Sequence, residues 1–260
     1  MPKVVLITGA NAGLGFAILQ IAATNKPSTK FILCSRSLWA GYLAWGHLLR
    51  AGITADIDVL ELDVTNDDHI MAAVKHVTSK YGHLDVLINN AGVLSRITDY
   101  SLPSLRRCCA EMCNINVVSV VVVSTAFSAA LKRARKPRVI NITSDLGSIH
   151  NTLSQQSTGY APYGISKVGL NGVTAHLQAR ELDRMAKDGL DPTTKPDRYI
   201  NYYSVAPGLM KTALTNFNDT GLDPKVGAEV VMGLIADDEA KYDGGSQLEL
   251  RDGKMLPIPW

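Results

Sequence analysis

Tyr163 and Lys167 stand four residues apart in a stretch that reads as helix, so both lie on one helical face. An ammonium near a phenol lowers the phenol's pKa from about 10 and lets it act as acid or base near neutrality. Pro162, just before the tyrosine, is suited to opening that helix. The chemistry suggested is proton transfer at an oxygen. Tyr-x-x-x-Lys alone is a frequent accident of composition, so its meaning depends on what accompanies it.

A second chemical feature lies near the start. The apolar run 4–7 ends in Thr8-Gly9-Ala10-Asn11-Ala12-Gly13-Leu14-Gly15, after which the chain reads as helix. Strand, glycine-rich turn and helix N-terminus together make an anion site, because unpaired backbone N–H groups and the positive helix end point at one spot. Gly9 would allow the tight turn, Gly13 the close approach of a pyrophosphate and Gly15 the packing of helix on sheet. The spacing is G-x-x-x-G-x-G rather than G-x-G-x-x-G, and a glycine-rich turn with no ligand is the competing reading.

The second apolar run bears on the choice of nucleotide. An NAD-binding domain places an Asp or Glu at the end of this strand to bind the ribose hydroxyls, whereas residues 31–34 pass into Ser35-Arg36. A guanidinium there suits a 2′-phosphate and hence NADP(H). Residues 1–55 contain no acid at all, although 24 acids in 260 residues would give about five by proportion. Arg36 as a solvated loop residue is the alternative.

These groups need a scaffold. Apolar runs at residues 4–7, 31–34, 57–60, 86–88, 139–142 and 200–205 read as strands covered on both faces. Helix-length segments at 15–23, 67–81, 105–131 and 163–186 alternate with them, which predicts an α/β fold: a doubly wound parallel sheet with helices on both faces, in one domain over 1–260. Irregular stretches at 145–162, 187–198 and 209–224 are long enough to be functional loops. Residues 112–131 carry no charge, but six Asn, Ser and Thr side chains within them favour a buried helix over a membrane span. A formal charge of +2 with 6% aromatic residues points to neither nucleic acid nor an acidic membrane. Four cysteines with no framework spacing, and no leader before the run 4–7, predict free thiols in a reducing, cytoplasmic setting. The six histidines show no metal-ligand spacing, and no G-x-S-x-G supports a serine hydrolase.

Further motifs follow in order: Asn89-Asn90-Ala91-Gly92 after the fourth run, Asn116 in the uncharged helix, Ser144, the Tyr163 and Lys167 pair, Pro207-Gly208 and Thr212. With the glycine-rich opening, this order resembles the short-chain dehydrogenase/reductase family over residues 4–212, most of all its carbonyl-reductase branch. The closing Met255-Leu256-Pro257-Ile258-Pro259-Trp260 is similar to fungal members. The resemblance implies that Tyr163 gives a proton to a carbonyl oxygen, Ser144 hydrogen-bonds that oxygen, Lys167 also holds the nicotinamide ribose and Asn116 keeps a relay water in place. It implies that Asp63 and Val64 border the adenine, Asn90 the adjoining ribose and Thr212 the carboxamide. On the residues alone, Asp63 could instead cap the helix starting near Asp67, Asn116 could satisfy helix backbone, and Ser144 could be a turn serine. Ser144 and Tyr163 are farther apart than is common in the family, with residues 154–159 read as a surface or lid insertion.

The function expected is NADPH-dependent hydride transfer to a ketone or aldehyde, with no metal. Leu146, Ile149, Leu153, Leu209, Met210, Leu214 and Phe217, on loops at the carboxyl ends of the strands, would wall an apolar pocket, and only Lys211 is near to clamp a carboxylate. Reduction of an imine or activated alkene, epimerisation, and a non-catalytic NADP-binding role are the alternatives. A homodimer or homotetramer through the helices at 105–131 and 163–186 is left open.

Overall fold

The computed structural model describes residues 2–97, 99–154, 156, 159–191, 199–237, 241–251 and 254–260. The six apolar runs form β1 (Val4–Ile7), β2 (Lys30–Ser35), β3 (Asp56–Glu61), β4 (Val86–Asn89), β5 (Arg138–Ile142) and β6 (Asn201–Ala206). Two further strands, β7 (Gln247–Arg251) and β8 (Lys254–Pro257), complete a sheet of order β3-β2-β1-β4-β5-β6-β7-β8. All neighbours are parallel except β7 and β8. Two residues separate that last pair, too few for a crossover, so the chain can only return antiparallel. The sequence reading had no strand here, because a five-residue run carrying Glu249 and Arg251 gives a weak apolar signal.

Helices cover both faces: α1 (Gly13–Asn25), α2 (Leu38–Arg50), α3 (Asp67–Lys80), α4 (Leu102–Cys113), α5 (Ser119–Leu131), the short α6 (Ile149–Leu153), α7 (Ala161–Lys187) and α8 (Pro224–Ala236). The two-residue period of the strands sorts the core. Val5 and Ile7 of β1 pack towards α1, α2 and α8, while Val4 and Leu6 pack towards α3, α5 and α7. Between β1 and β4 the strand order reverses, which opens a crevice at their carboxyl ends.

A π-helical turn, Asn114–Val118, joins α4 to α5 without a break. The combined helix is long and apolar enough to cross a membrane by length and composition. One face of it lies in the core, where Met112, Val123, Phe127 and Leu131 are buried and Ser124 Oγ accepts from Asn89 Nδ2 at 3.0 Å.

Candidate active site

The crevice begins at the turn after β1. Thr8 Oγ1 accepts from the backbone N–H groups of Asn90 and Ala91, both at 3.0 Å, and its hydroxyl reaches Ile88 O at 3.3 Å. Asn90 Nδ2 donates back to Thr8 O at 2.8 Å and Gly9 O at 3.2 Å. The start of β1's turn is thus stitched to the segment after β4. A Cβ on Gly15 would lie 2.4 Å from Asn90 Nδ2 and 2.6 Å from Gly9 O, so only glycine fits. Gly9 and Gly13 have φ of 63° and 56°, the left-handed region that glycine enters freely. Ala12 caps α1 without a side-chain hydrogen bond and the first turn carries no acid, an arrangement in which the first backbone N–H groups could receive an anion. Thr212 stands across from Gly13, its Cγ2 3.5 Å from where a Cβ would sit, which brings the loop after Pro207-Gly208 over the glycine-rich turn. Asn11 and Leu14 are half-buried at the same turn.

At the end of β2, Ser35 is buried and its Oγ accepts from Ser37 N at 3.3 Å, while Arg36 is exposed. Asp63 Oδ1 accepts from Thr65 N and Thr65 Oγ1 at 2.9 and 2.7 Å, and these bonds hold its carboxyl below the usual range. Asn66, not Asp63, caps α3, accepting from Asp68 N and His69 N. Val64 packs on the core beneath.

The polar quartet lies farther along the crevice. Tyr163 and Lys167 are 8% and 5% exposed on the buried face of α7. Lys167 Nζ donates to Ile142 O at 2.8 Å and sits 5.4 Å from the centre of the Tyr163 ring. Burial lowers the ammonium to about 8 and pushes the phenol up from its ordinary value. The lowering of the phenol expected from the spacing is therefore outweighed by desolvation in the protein alone, because the ammonium's hydrogen bond goes to a carbonyl. Asn116, 1% exposed in the π-helical turn, accepts from Val93 N at 2.9 Å and donates to Val93 O at 2.9 Å and Ser166 Oγ at 3.0 Å. Its amide therefore holds loop backbone after β4, not helix backbone. Oδ1 also lies 3.1 Å from where a Cβ on Gly92 would sit, and Lys167 Nζ 3.9 Å, so the segment after β4 passes directly over both groups. Ser144 is half-buried after β5, and its Oγ accepts from Leu146 N at 3.3 Å. The turn it begins lies on α7 beside Lys167: a Cβ on Gly147 would meet Lys167 O at 3.0 Å.

An apolar cluster surrounds Tyr163, made of Cys108, Met112, Val93, Leu94, Ile97, Leu146 and Tyr160. Of the wall expected from sequence, Leu146 joins it and Met210 is buried, whereas Ile149, Leu153, Leu209, Leu214 and Phe217 are exposed. Cys108 and Met112, one turn apart on α4, were missed; that i, i+4 apolar pair was the available signal. Lys211 pairs with Asp219 at 2.9 Å. In the expected insertion, residues 155, 157 and 158 lie outside the described residues. Among the described residues, no group of three His, Cys, Asp or Glu could hold a metal.

A family described as short chain dehydrogenase matches residues 3–222. A short-chain dehydrogenase/reductase of Aspergillus fumigatus is 46% identical over 260 residues, with 99% of this chain and 97% of the relative covered. A 3-oxoacyl-[acyl-carrier-protein] reductase of Vibrio cholerae is 28% identical over 273 residues, with 98% of each covered. Among solved structures, NADPH-bound carbonyl reductase from chicken fatty liver has a TM-score of 0.75 at 23% identity, over 100% of this chain and 99% of that one, a likeness of fold. Motif order, sheet topology and these likenesses agree, and the chain belongs to the short-chain dehydrogenase/reductase family of oxidoreductases, whose members use a nicotinamide cofactor.

Proposed function

We propose that the protein uses NADPH to reduce the carbonyl of a largely apolar ketone or aldehyde, with Tyr163 as proton donor. The observation that carries this reading is the buried Tyr163 and Lys167 couple set into an apolar wall, beside a helix N-terminus open to an anion. The glycine-rich turn fits a pyrophosphate, since φ at Gly9 and Gly13 and the closeness of Asn90 leave the backbone bare towards the crevice. Gly9, Asn11, Gly13, Leu14 and Gly15 would hold it, Ser35 and Arg36 the 2′-phosphate, and Asp63 and Val64 the adenine. Asn90, Ala91 and Gly92 would flank the ribose, with Lys167, Pro207, Gly208 and Thr212 around the nicotinamide.

When bound, the nicotinamide supplies hydride to the carbonyl carbon. The Tyr163 hydroxyl gives its proton to the carbonyl oxygen and Ser144 Oγ donates a hydrogen bond to that same oxygen. Burial that keeps Tyr163 in its neutral form keeps the proton available for reduction. A neutral substrate is favoured because Lys211, the cation nearest in sequence to the expected wall, is committed to Asp219. The free thiols suit a cytoplasmic enzyme, and exposed Val121 and Val122 on α5 with Leu182 on α7 suit a homodimer.

Cofactor oxidation by the purified protein, with NADPH or NADH and a panel of carbonyls, tests the reading. We expect turnover with NADPH and an aryl or polycyclic ketone. Equal or better use of a short keto acid would overturn the apolar substrate, and tight NADPH binding without turnover of any carbonyl would make this a binding protein.

A further inference from the structure

Ser144 opens a tight turn in which Gly147 N donates to Ser144 O at 2.8 Å. The turn has no slack against α7. A Cβ on Gly147 would lie 2.8 Å from Asn171 Nδ2, 2.9 Å from Thr143 Oγ1 and 3.0 Å from Lys167 O. Asn171 sits one helical turn beyond Lys167 and two beyond Tyr163 on the same buried stripe, at 3% exposure. Its Nδ2 donates to Gly147 O and to Gln247 Oε1, both at 2.9 Å. Gln247, 1% exposed on β7, directs Nε2 to Ser144 O at 3.4 Å. Both ends of the turn, Ser144 O and Gly147 O, are thereby referred to one side chain on the helix that carries Tyr163.

We propose that Asn171, with Gln247 as its second arm, is a positioning residue that sets Ser144 against Tyr163. The proposal rests on the carbonyl-reduction reading, in which both hydroxyls must meet one oxygen. Two buried amides are a poor adhesive: Asn171 Oδ1 has no hydrogen-bond partner, and apolar side chains of the same size would join helix to sheet without an unmet acceptor. They are a good way to fix where a carbonyl stands, because a hydrogen bond specifies direction as well as distance. Farther along the stripe, Thr174 Oγ1 accepts from Asn141 Nδ2 at 2.9 Å and Gln178 Oε1 from Tyr202 N at 2.9 Å, so α7 is indexed to the sheet by polar contacts along its length. Among the described side-chain hydrogen bonds of α7, that of Asn171 is the one that reaches the turn bearing Ser144.

The test is a pair of mutant cycles, Asn171→Leu and Gln247→Met, each alone and combined with Ser144→Ala. Measured together are kcat, KM for the ketone, NADPH affinity by fluorescence and thermal stability. The proposal expects kcat to fall about tenfold in Asn171→Leu and about threefold in Gln247→Met, with NADPH affinity within about twofold of wild type. In the Ser144→Ala background each should cost less than about twofold, since the group being positioned is gone. Losses that multiply with Ser144→Ala, or an unchanged kcat in both single variants, overturn it. If Asn171→Leu does not fold, the Gln247→Met cycle decides alone. If Ser144→Ala keeps full turnover, the reading of the reaction fails instead, and a crystal structure of Gln247→Met then judges the positioning: a shifted Ser144 supports it and an unmoved one overturns it.

Discussion

On the side of the crevice built by β1, α1 and β4, two side chains, Thr8 and Asn90, lock a turn of bare glycine backbone against the segment after β4, whereas on the side built by the loops after β5 and β6 the loop after β5 is tied by backbone and one serine to residues 259 and 260. On the first side one hydroxyl, Thr8 Oγ1, serves three backbone groups, and glycines sit where no Cβ fits. On the second, Ser148 Oγ donates to Pro259 O at 2.6 Å, His150 N to Trp260 O at 3.1 Å and Ile258 N to Gln247 O at 2.8 Å. Asn216 and Phe217 there take φ of 55° and 51°, an unfavourable region for a side chain as large as phenylalanine, and Phe217 is 61% exposed. In the proposed reading the nucleotide would meet the rigid glycine turn of the first side, and the substrate would meet the second, which carries the exposed and strained parts.

Where the two sides meet, the largest effect is expected. Tyr163→Phe should lower turnover by roughly a hundredfold to ten-thousandfold while NADPH still binds. Steady-state rates with cofactor titration decide it, and near-normal turnover would remove Tyr163 from the chemistry.

Lys167 gives the next effect. Its proton is held to about 8 in the folded protein against 10.5 in the ordinary side chain. Between those values the unfolded chain binds more protons, so stability rises with pH across that window. Relative to Lys167→Met, the wild type should gain up to about 3 kcal/mol from pH 8 to 10.5. Denaturant titrations of both proteins measure this, and a pH-independent difference would mean that the ammonium is not desolvated.

Gly15→Ala should cost about 1–3 kcal/mol of stability and weaken NADPH at least about tenfold, because Asn90 and Gly9 O must move. Calorimetry and cofactor titration give both numbers, and an unperturbed variant would show that the first side is less rigid than its contacts indicate. Arg36→Ala should weaken NADPH by about 1–3 kcal/mol and leave NADH unchanged; equal losses for both would make Arg36 a bystander. Phe217→Gly, on the second side, should alter stability by less than about 1 kcal/mol, relief of the left-handed φ offsetting the greater freedom of the unfolded chain. Any kinetic change should appear in KM for the ketone, and a loss of NADPH affinity would erase the contrast between the two sides.

Much of the first side was legible in the sequence. A strand, a glycine-rich turn and a helix start are consecutive in the sequence, and they form β1, its turn and the start of α1. Less of the second side was legible. Leu146 joins the cluster around Tyr163 and Met210 is buried away from it, five other expected wall residues are exposed, and Tyr160, Cys108 and Met112 went unread because their cluster joins the segment after β4, α4 and the start of α7. Asn171 and Gln247 are 76 residues apart and carry no motif.

By itself the sequence determined the alternation of strands and helices, the turn that bares backbone N–H groups and the placing of Tyr163 and Lys167 on one helical face. These depend on backbone preferences and on neighbours within a few residues. Only the tertiary structure decided that Asn116 would hold Val93, that Asn66 rather than Asp63 would cap α3, and that burial would outweigh the Lys167 charge in setting the state of Tyr163. Burial and partner choice are properties of the assembled core. A side chain's desolvation and its hydrogen-bond partners do not exist until segments far apart in the chain have closed around it.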